Sequence, residues 1–250
     1  MEIVIMIPAR YSSTRLPGKP LLDIGGQPMV VRVVMAVQAC DADRVVVATD
    51  DERILRAVTD AGFKAVMTRS DHLSGTDRLQ EAAEQLGLQA DDIIVNVQGD
   101  EPFMPVDSVL QVARLLEQNP RAQVATLYEP VTTQAMIANP NVVKLVQRQD
   151  GEVLYFSRSG IPFDRDNTLT TPEGVWKRHI GLYAYRKSAL DAFIGWPESP
   201  LEQLEKLEQL RFMENGAVVV AARAVQPAPA GVDTQEDLDA VRALFAKEAP

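Results

Sequence analysis

The sequence contains one cysteine, Cys40, and two histidines, His72 and His179. A lone thiol excludes an intramolecular disulfide, and one Cys with two His cannot supply the four ligands of the usual structural zinc sites. Long apolar runs are missing as well. The N-terminal one, residues 3–7, falls far short of the roughly 20 residues that a bilayer crossing requires. It lacks a basic leader and a small-residue cleavage site, so it does not read as a signal peptide. We therefore expect no membrane association and a cytoplasmic, reducing location. Positive charge is scarce: 25 Lys and Arg stand against 35 Asp and Glu, a net charge of −10. That balance argues against broad nucleic-acid binding. Neither the Walker phosphate loop nor G-x-G-x-x-G occurs, so a nicotinamide cofactor is unsupported.

What remains is a 250-residue chain with 46% hydrophobic residues, enough to bury about three quarters of its unfolded surface. Short apolar runs alternate with amphipathic ones. Residues 3–9, 44–49, 64–68 and 92–97 read as buried strands; 28–40, 52–61, 76–86 and 106–118 read as helices, two of them stopped by Gly62 and Gly87. Strands separated by single helices predict crossover connections and a mostly parallel sheet covered on both faces. The pattern changes after a strand at 122–128. Residues 142–147 and 153–157 are joined by an Asp-Gly turn signal at 150–151, a polar stretch from 158 to 174 has no period, and 177–185 reads as a strand. Short helix 188–195, helix 201–214, strand 217–221 and helix 234–247 complete the chain. The expected fold is α/β, a mostly parallel, Rossmann-like nucleotide-binding sheet flanked by helices, with an antiparallel insertion or flap. It would be one domain over 1–250, its core from about 1–130 and 200–250 and the insertion at about 131–199.

Open parallel sheets bind ligands at the carboxyl ends of their strands, which selects the loops after Ala9, around Asp50, around Gly75 and from Gln98. The first reads A-R-Y-S-S-T-R-L-P-G-K-P-L over residues 9–21. Three basic residues, Arg10, Arg15 and Lys19, fall here against one acid, Glu2, within the first twenty residues of an acidic protein. Two guanidinium forks and a mobile ammonium, between strand and helix, can surround a polyphosphate. The fourth loop, N-V-Q-G-D-E-P at 96–102, sets Asp100 just past a glycine at a strand end, where one carboxylate can ligate Mg²⁺ held on phosphate oxygens. Its neighbour Glu101 reads as structural. In G-V-D-T-Q-E-D-L, residues 231–238, Asp233 reads equally as a second metal ligand and as part of a helix start, because Thr234 and Asp237 have the spacing of a capping box.

Together these segments resemble the CMP-KDO synthetase family of acidic-sugar nucleotidyltransferases, the 3-deoxy-manno-octulosonate cytidylyltransferases. The resemblance adds S-G-T-D-R at 74–78, S-R-S-G-I-P at 157–162, R-H-I-G-L-Y-A-Y-R at 178–186, L-E-x-x-E-x-L-E-Q-L-R at 201–211 and G-V-D-T at 231–234, so it spans nearly the whole chain in order. It implies that the protein transfers CMP from CTP to the anomeric hydroxyl of KDO, giving CMP-KDO and pyrophosphate for lipopolysaccharide biosynthesis, with Mg²⁺ as cofactor and CTP and KDO as partners. It also implies a homodimer formed through the antiparallel portion.

By resemblance, Arg10, Arg15 and Lys19 hold the triphosphate, and Asp100 and Asp233 hold the metal; the catalytic set is Arg10, Arg15, Lys19 and Asp100. Ala9, Arg10, Ser74, Gly75, Asp77 and Gln98 match nucleotide-contacting positions. Gln98, Arg158, His179, Tyr183, Glu208 and Gln209 match sugar-contacting ones, with Arg158 the natural partner for a carboxylate. Without the resemblance, His179 would read as a structural histidine and Glu205 and Glu208 as a solvated face. The sequence departs from the family at Gln235, where a proline often follows G-V-D-T. Two other readings stay open: a cytidylyltransferase for another acidic sugar, such as 8-amino-KDO or sialic acid, and a catalytically silent nucleotide binder, against which the presence of both Asp100 and Asp233 argues.

Overall fold

The computed structural model describes residues 1–12, 16–166, 174–229 and 231–248. Strand β1 (Ile3–Ala9) is an apolar run because both of its faces are covered. Ile5 and Ile7 enter one core and Val4 and Met6 another. A 3-10 turn (Lys19–Leu21) and a small hairpin, β2 (Asp23–Ile24) with β3 (Gln27–Pro28), follow. Then come α1 (Met29–Val37), β4 (Arg44–Thr49), α2 (Glu52–Asp60), β5 (Lys64–Met67), α3 (Gly75–Gln85), β6 (Ile93–Asn96), α4 (Val106–Glu117) and β7 (Val124–Pro130). Asp51 caps α2, accepting from the backbone N–H of Arg53, which satisfies one of the donors a helix start leaves open.

The second half contains α5 (Gln134–Ala138), β8 (Lys144–Gln147), β9 (Val153–Ser157), β10 (Lys177–Arg186), α6 (Lys187–Phe193), α7 (Pro200–Glu205), α8 (Gln209–Glu214), β11 (Val219–Arg223) and α9 (Gln235–Glu248). The main sheet runs β11-β7-β10-β6-β1-β4-β5. Strand β10 pairs antiparallel with both neighbours, and the other pairings along this path are parallel. The mostly parallel α/β sheet expected from the sequence is therefore present, with β8 and β9 as an antiparallel hairpin beside it.

Three features differ from the sequence reading. Strand β10, which the pattern groups with the antiparallel portion, is antiparallel but crosses the middle of the main sheet between β7 and β6; the order of strands in a sheet leaves no mark on composition. Helix 201–214 is two helices, because Lys206 adopts a left-handed conformation, φ 53°, a costly state for a residue with a Cβ. The hairpin β2–β3 and helix α5 are additional elements. Among the described residues, no helix is long and apolar enough to cross a membrane.

Candidate functional site

Strand order reverses on either side of β1. The chain goes from β1 outward to β4 and β5, then returns through α3 to β6 on the other side. A crevice opens at such a reversal, outside the carboxyl ends of the strands. Here it is a cleft of about 270 Å³ lined by Pro8, Ala9, Arg10, Ser12, Lys19, Pro20, Gln98, Gly99, Asp100 and Asp233. A larger groove of about 540 Å³ lies between α4 and β11, but no catalytic constellation converges there, so the chemistry selects the smaller cleft.

Lys19 is the hub. Its Nζ donates to Asp100 Oδ2 at 2.5 Å and to Asp233 Oδ1 at 3.0 Å. Three parts of the chain meet there, and each is fixed locally. Lys19 begins the 3-10 turn behind Gly18, whose φ of 67° suits glycine,. Asp100 is delivered by the loop after β6. That loop passes so close to β1 that a Cβ on Gly99 would stand 2.9 Å from the carbonyl oxygen of Pro8; only glycine fits. Asp233 is delivered by a chain that bonds back onto the same loop, Val232 N–H to Asp100 O at 2.9 Å. Val232 and Leu16 share a small core with Ile24, Met29, Leu238 and Val241, which ties the Lys19 loop to the start of α9.

Asp233 contributes its backbone to the start of α9, its N–H donating to Asp237 Oδ2 at 3.0 Å. The capping box belongs to Thr234 and Asp237: Asp237 N–H donates to Thr234 Oγ1 at 3.2 Å, and Asp237 Oδ2 accepts from Thr234 N–H at 2.8 Å. The Asp233 carboxylate turns to Lys19. Glu101, read as structural, is buried, and desolvation with the nearby charge of Asp100 pushes its carboxyl up to about 8.

Two hard carboxylates around one cation, at the mouth of a basic loop, form a donor set suited to Mg²⁺, which takes one or two protein carboxylates and fills its shell with phosphate and water. Among the described residues, no three His, Cys, Asp or Glu converge as a complete metal site. Asp100 and Asp233 would therefore hold part of a shell. Arg15 lies outside the described residues; Arg10 and Lys19 are the described basic residues of this loop.

The positions matched to the nucleotide base gather at the start of α3. Ser74 and Asp77 are engaged in a reciprocal capping box. Gly75 stands against Pro8 at the end of β1, where a Cβ would be 3.7 Å from the proline ring. Arg78 serves the scaffold instead. It is buried, bonded to Thr68 Oγ1 and ion-paired with Asp50 at 2.7 Å, and so fastens α3 to the ends of β4 and β5.

The positions matched to the sugar lie further along the sheet. His179 and Tyr183 share one face of β10, at a bulge between Ile180 and Tyr183. Their rings begin a row, His179–Tyr183 at 5.2 Å, Tyr183–Tyr185 at 5.5 Å and Tyr185–Phe212 at 5.6 Å between centroids. A Cβ on Gly181 would meet nothing within 4 Å, so the row is open on one side of His179 and Tyr183. Thr126 Oγ1 is within donating distance of the Ile180 and Leu182 carbonyls at 3.0 and 2.9 Å. His179 Nε2, 3.0 Å from the same oxygen, is then the donor, leaving Nδ1 as an acceptor. Burial, with Arg178 beside it, pushes the His179 imidazole down to about 3, so the ring is neutral at physiological pH.

Glu208 and Gln209 follow the break between α7 and α8. The Glu208 carboxylate accepts from the Thr76 hydroxyl, and burial raises its pKa. Arg158 is largely committed to the backbone: Nε donates to Glu205 O at 2.6 Å, Nη1 to Pro140 O at 3.0 Å and Nη2 to Lys206 O at 3.3 Å. The structure thus brings Ala9, Arg10, Lys19, Gln98, Asp100 and Asp233 into one cleft. It sets Ser74, Gly75 and Asp77 at its side, His179 and Tyr183 on β10, and gives Arg158 a bracing contact. Sequence reasoning gave Tyr185 and Asn96 no role of their own and placed Thr76 only within the 74–78 segment matched to the base. Tyr185 was within reach, since it lies two positions past Tyr183 and so on the same face of a strand.

The chain is similar to known proteins over nearly its whole length. The model of the cytidylyltransferase family matches residues 4–223. The 3-deoxy-manno-octulosonate cytidylyltransferase of Chromohalobacter salexigens is 51% identical over 250 residues, covering 98% of this chain and 97% of its own. That of Aeromonas hydrophila is 50% identical over 253 residues, covering 98% and 100%. Among solved structures, CMP:2-keto-3-deoxy-manno-octonic acid synthetase complexed with CTP superposes with a TM-score of 0.91 at 43% identity, over all of both chains. A cytidylyltransferase from Leptospira borgpetersenii, at a TM-score of 0.65 and 18% identity, shares the fold.

Proposed function

The chain belongs to the cytidylyltransferase family, among its 3-deoxy-manno-octulosonate members, and from that premise we propose that it transfers CMP from CTP to the anomeric hydroxyl of KDO. The observation that carries this reading beyond kinship is the meeting of Lys19 with both Asp100 and Asp233 at the mouth of the strand-end cleft.

The reaction needs no protein nucleophile. The sugar's anomeric hydroxyl gives up its proton to solvent as its oxygen forms a new bond to the α-phosphorus of CTP, the bond from that phosphorus to the α,β-bridging oxygen breaks, and pyrophosphate carries away the electron pair. The protein's contribution is positioning and charge neutralisation. Arg10, Arg15 and Lys19 hold the phosphate oxygens, and Lys19 faces charge that grows as pyrophosphate departs. Asp100 and Asp233 would hold Mg²⁺. When bound, that ion neutralises phosphate charge and lowers the pKa of a coordinated hydroxyl. Ala9, Ser74, Gly75, Asp77 and Gln98 border the space for the nucleoside.

At the other end, Gln98, His179, Tyr183, Glu208 and Gln209 offer neutral donors and acceptors or a buried carboxylate to sugar hydroxyls. His179 Nδ1 accepts, and Arg158, which spends three of its five N–H donors on the described residues, has two to offer the sugar's carboxylate. We place the reaction in the cytoplasm, supplying lipopolysaccharide assembly, and the active form as a homodimer. Exposed Leu154 on β9 and exposed Phe163 support an interface on the antiparallel portion.

The test is pyrophosphate release with Mg²⁺ from CTP in the presence of KDO, 8-amino-KDO or N-acetylneuraminate, with UTP as a base control. Release with CTP and KDO alone is expected. Release only with another sugar would move the substrate, and CTP binding without release from any would favour the silent binder.

A further inference from the structure

The segment 201–214 has the spacing of one continuous helix, and a continuous helix would be the lower-energy local choice. The chain instead breaks at Lys206 in a left-handed conformation, a local strain that persists only where the surroundings enforce it. Those surroundings are visible. Glu205 accepts from Ser157 Oγ at 2.6 Å and from Arg158 N–H at 3.0 Å, and Arg158 bonds the carbonyls of Glu205 and Lys206. Beneath them Lys144, fully buried, donates to Arg158 O at 2.6 Å and Asn139 O at 3.0 Å. On the far side of the break, Arg211 grips Glu202 with Nε at 2.6 Å and Nη2 at 2.5 Å. The consequence of the break is that Glu208 leaves the solvated face and turns inward.

Inside, its partner is the Thr76 hydroxyl. Thr76 is buried in the first turn of α3, the turn that Ser74 and Asp77 lock from both sides. The Tyr185 hydroxyl interacts with the side chains of Thr76 and Asn96. Asn96, at the end of β6 two residues before Gln98, is buried, and its Oδ1 has no hydrogen-bond partner among the described residues. A hydroxyl 132 positions from Glu208 in the chain thus joins the turn that borders the nucleoside to the turn that borders the sugar.

We propose that Thr76 is a positioning residue for sugar recognition: it fixes the Glu208 carboxylate and makes the base-side and sugar-side turns one rigid unit. This rests on the KDO-transfer reading. Thr76 touches neither substrate; its effect passes through Glu208. A hydrogen bond to a charged group supports a change of roughly ten- to a hundredfold in an equilibrium constant.

The experiment compares the full chain with Thr76→Val, Thr76→Ser, Glu208→Gln and the double variant Thr76→Val with Glu208→Gln, measuring KM for KDO and for CTP separately together with thermal melting. Thr76→Val should raise the KDO KM about tenfold with the CTP KM within about twofold, and Thr76→Ser should restore it to within about threefold. The double variant should be little worse than Glu208→Gln alone, because both changes cut one interaction. Equal rises in both KM values, an unchanged KDO KM, or effects that multiply in the double variant would overturn the proposal. If Thr76→Val does not fold, Thr76→Ala takes its place, with the same rise in the KDO KM expected and an unchanged KDO KM overturning the proposal. Failure of the underlying reading would be seen separately, as wild-type protein that releases no pyrophosphate from CTP and KDO.

Discussion

The two ends of the candidate site are built on opposite principles. At the mouth of β1 and β6, ionised groups stand on loops and keep contact with solvent: Lys19 with Asp100 and Asp233, and exposed Arg10 nearby. Along β10 the groups sit on a strand in the middle of the sheet, neutral and in ring contact, from His179 through Tyr183 to Tyr185, which stacks on Phe212 of α8. On the proposed function, the difference follows from what each end would have to do. A triphosphate brings its own charge, so its site must offer charge and must exchange water for it at low cost. A sugar is told from its relatives by hydroxyls, and a hydroxyl is read best by fixed, desolvated partners whose other bonds are already made.

The largest expected effect tests the charged end. Asp100→Asn or Asp233→Asn should lower turnover by a factor of about 10² or more, since metal stabilisation of transition-state charge amounts to several kcal/mol. Melting should be little changed, because these side chains are partly solvated. Chelation of divalent cations in the wild type should reduce turnover just as far. Near-normal turnover in either variant would remove that residue from the metal site.

Arg78 sharpens the contrast from the other direction. Although it belongs to the same S-G-T-D-R motif as the nucleoside-side residues, its guanidinium is buried against Asp50 and Thr68. Arg78→Met should therefore cost about 3 kcal/mol of stability by leaving Asp50 without its partner, read by denaturant unfolding. If it instead raised the CTP KM in a fully stable protein, Arg78 would belong to the nucleotide site.

The neutral end makes a prediction about pH. Because the folded protein holds His179 well below the ordinary imidazole value, the unfolded chain binds a proton there that the folded chain refuses. Stability from this group is fully present above about pH 6.5 and is lost progressively as pH falls from there toward about 3,. NMR titration of the His179 ring should show no protonation between pH 5 and 8. A midpoint near 6.5 would make it a titrating group and break the contrast between the two ends.

The smallest effect concerns the break before Glu208. Lys206→Gly should relieve the left-handed strain and raise stability by up to about 1 kcal/mol, with the KDO KM unchanged. A fall in stability would mean that the Lys206 side chain holds the turn in some other way.

Much of the charged end was legible in the sequence, and less of the neutral end. Strands such as Arg44–Thr49 and helices such as Val106–Glu117 were marked by burial pattern and by length. Arg10, Lys19 and Asp100 announced themselves because charge on a strand-end loop of an acidic protein is conspicuous. Asp233 was ambiguous on spacing alone; in the folded chain its N–H bonds Asp237 at the helix start while its carboxylate meets Lys19. The neutral end was reached only through resemblance, because polar groups satisfied inside a core carry no periodic signal. Neither the place of β10 in the middle of the main sheet nor the break at Lys206 was legible. Each is fixed by partners far away in the chain, β6 and β7 for the one and Arg158 for the other.

The decisive experiment is pyrophosphate release by wild type and Asp100→Asn side by side, each with CTP alone and with CTP plus KDO under the same Mg²⁺. The wild type should release pyrophosphate only when both substrates are present, and the variant, with its fold intact, should be slower by about a hundredfold or more. Equal rates in the two proteins, or wild-type release that does not depend on KDO, would contradict a metal-assisted transfer of CMP to the sugar.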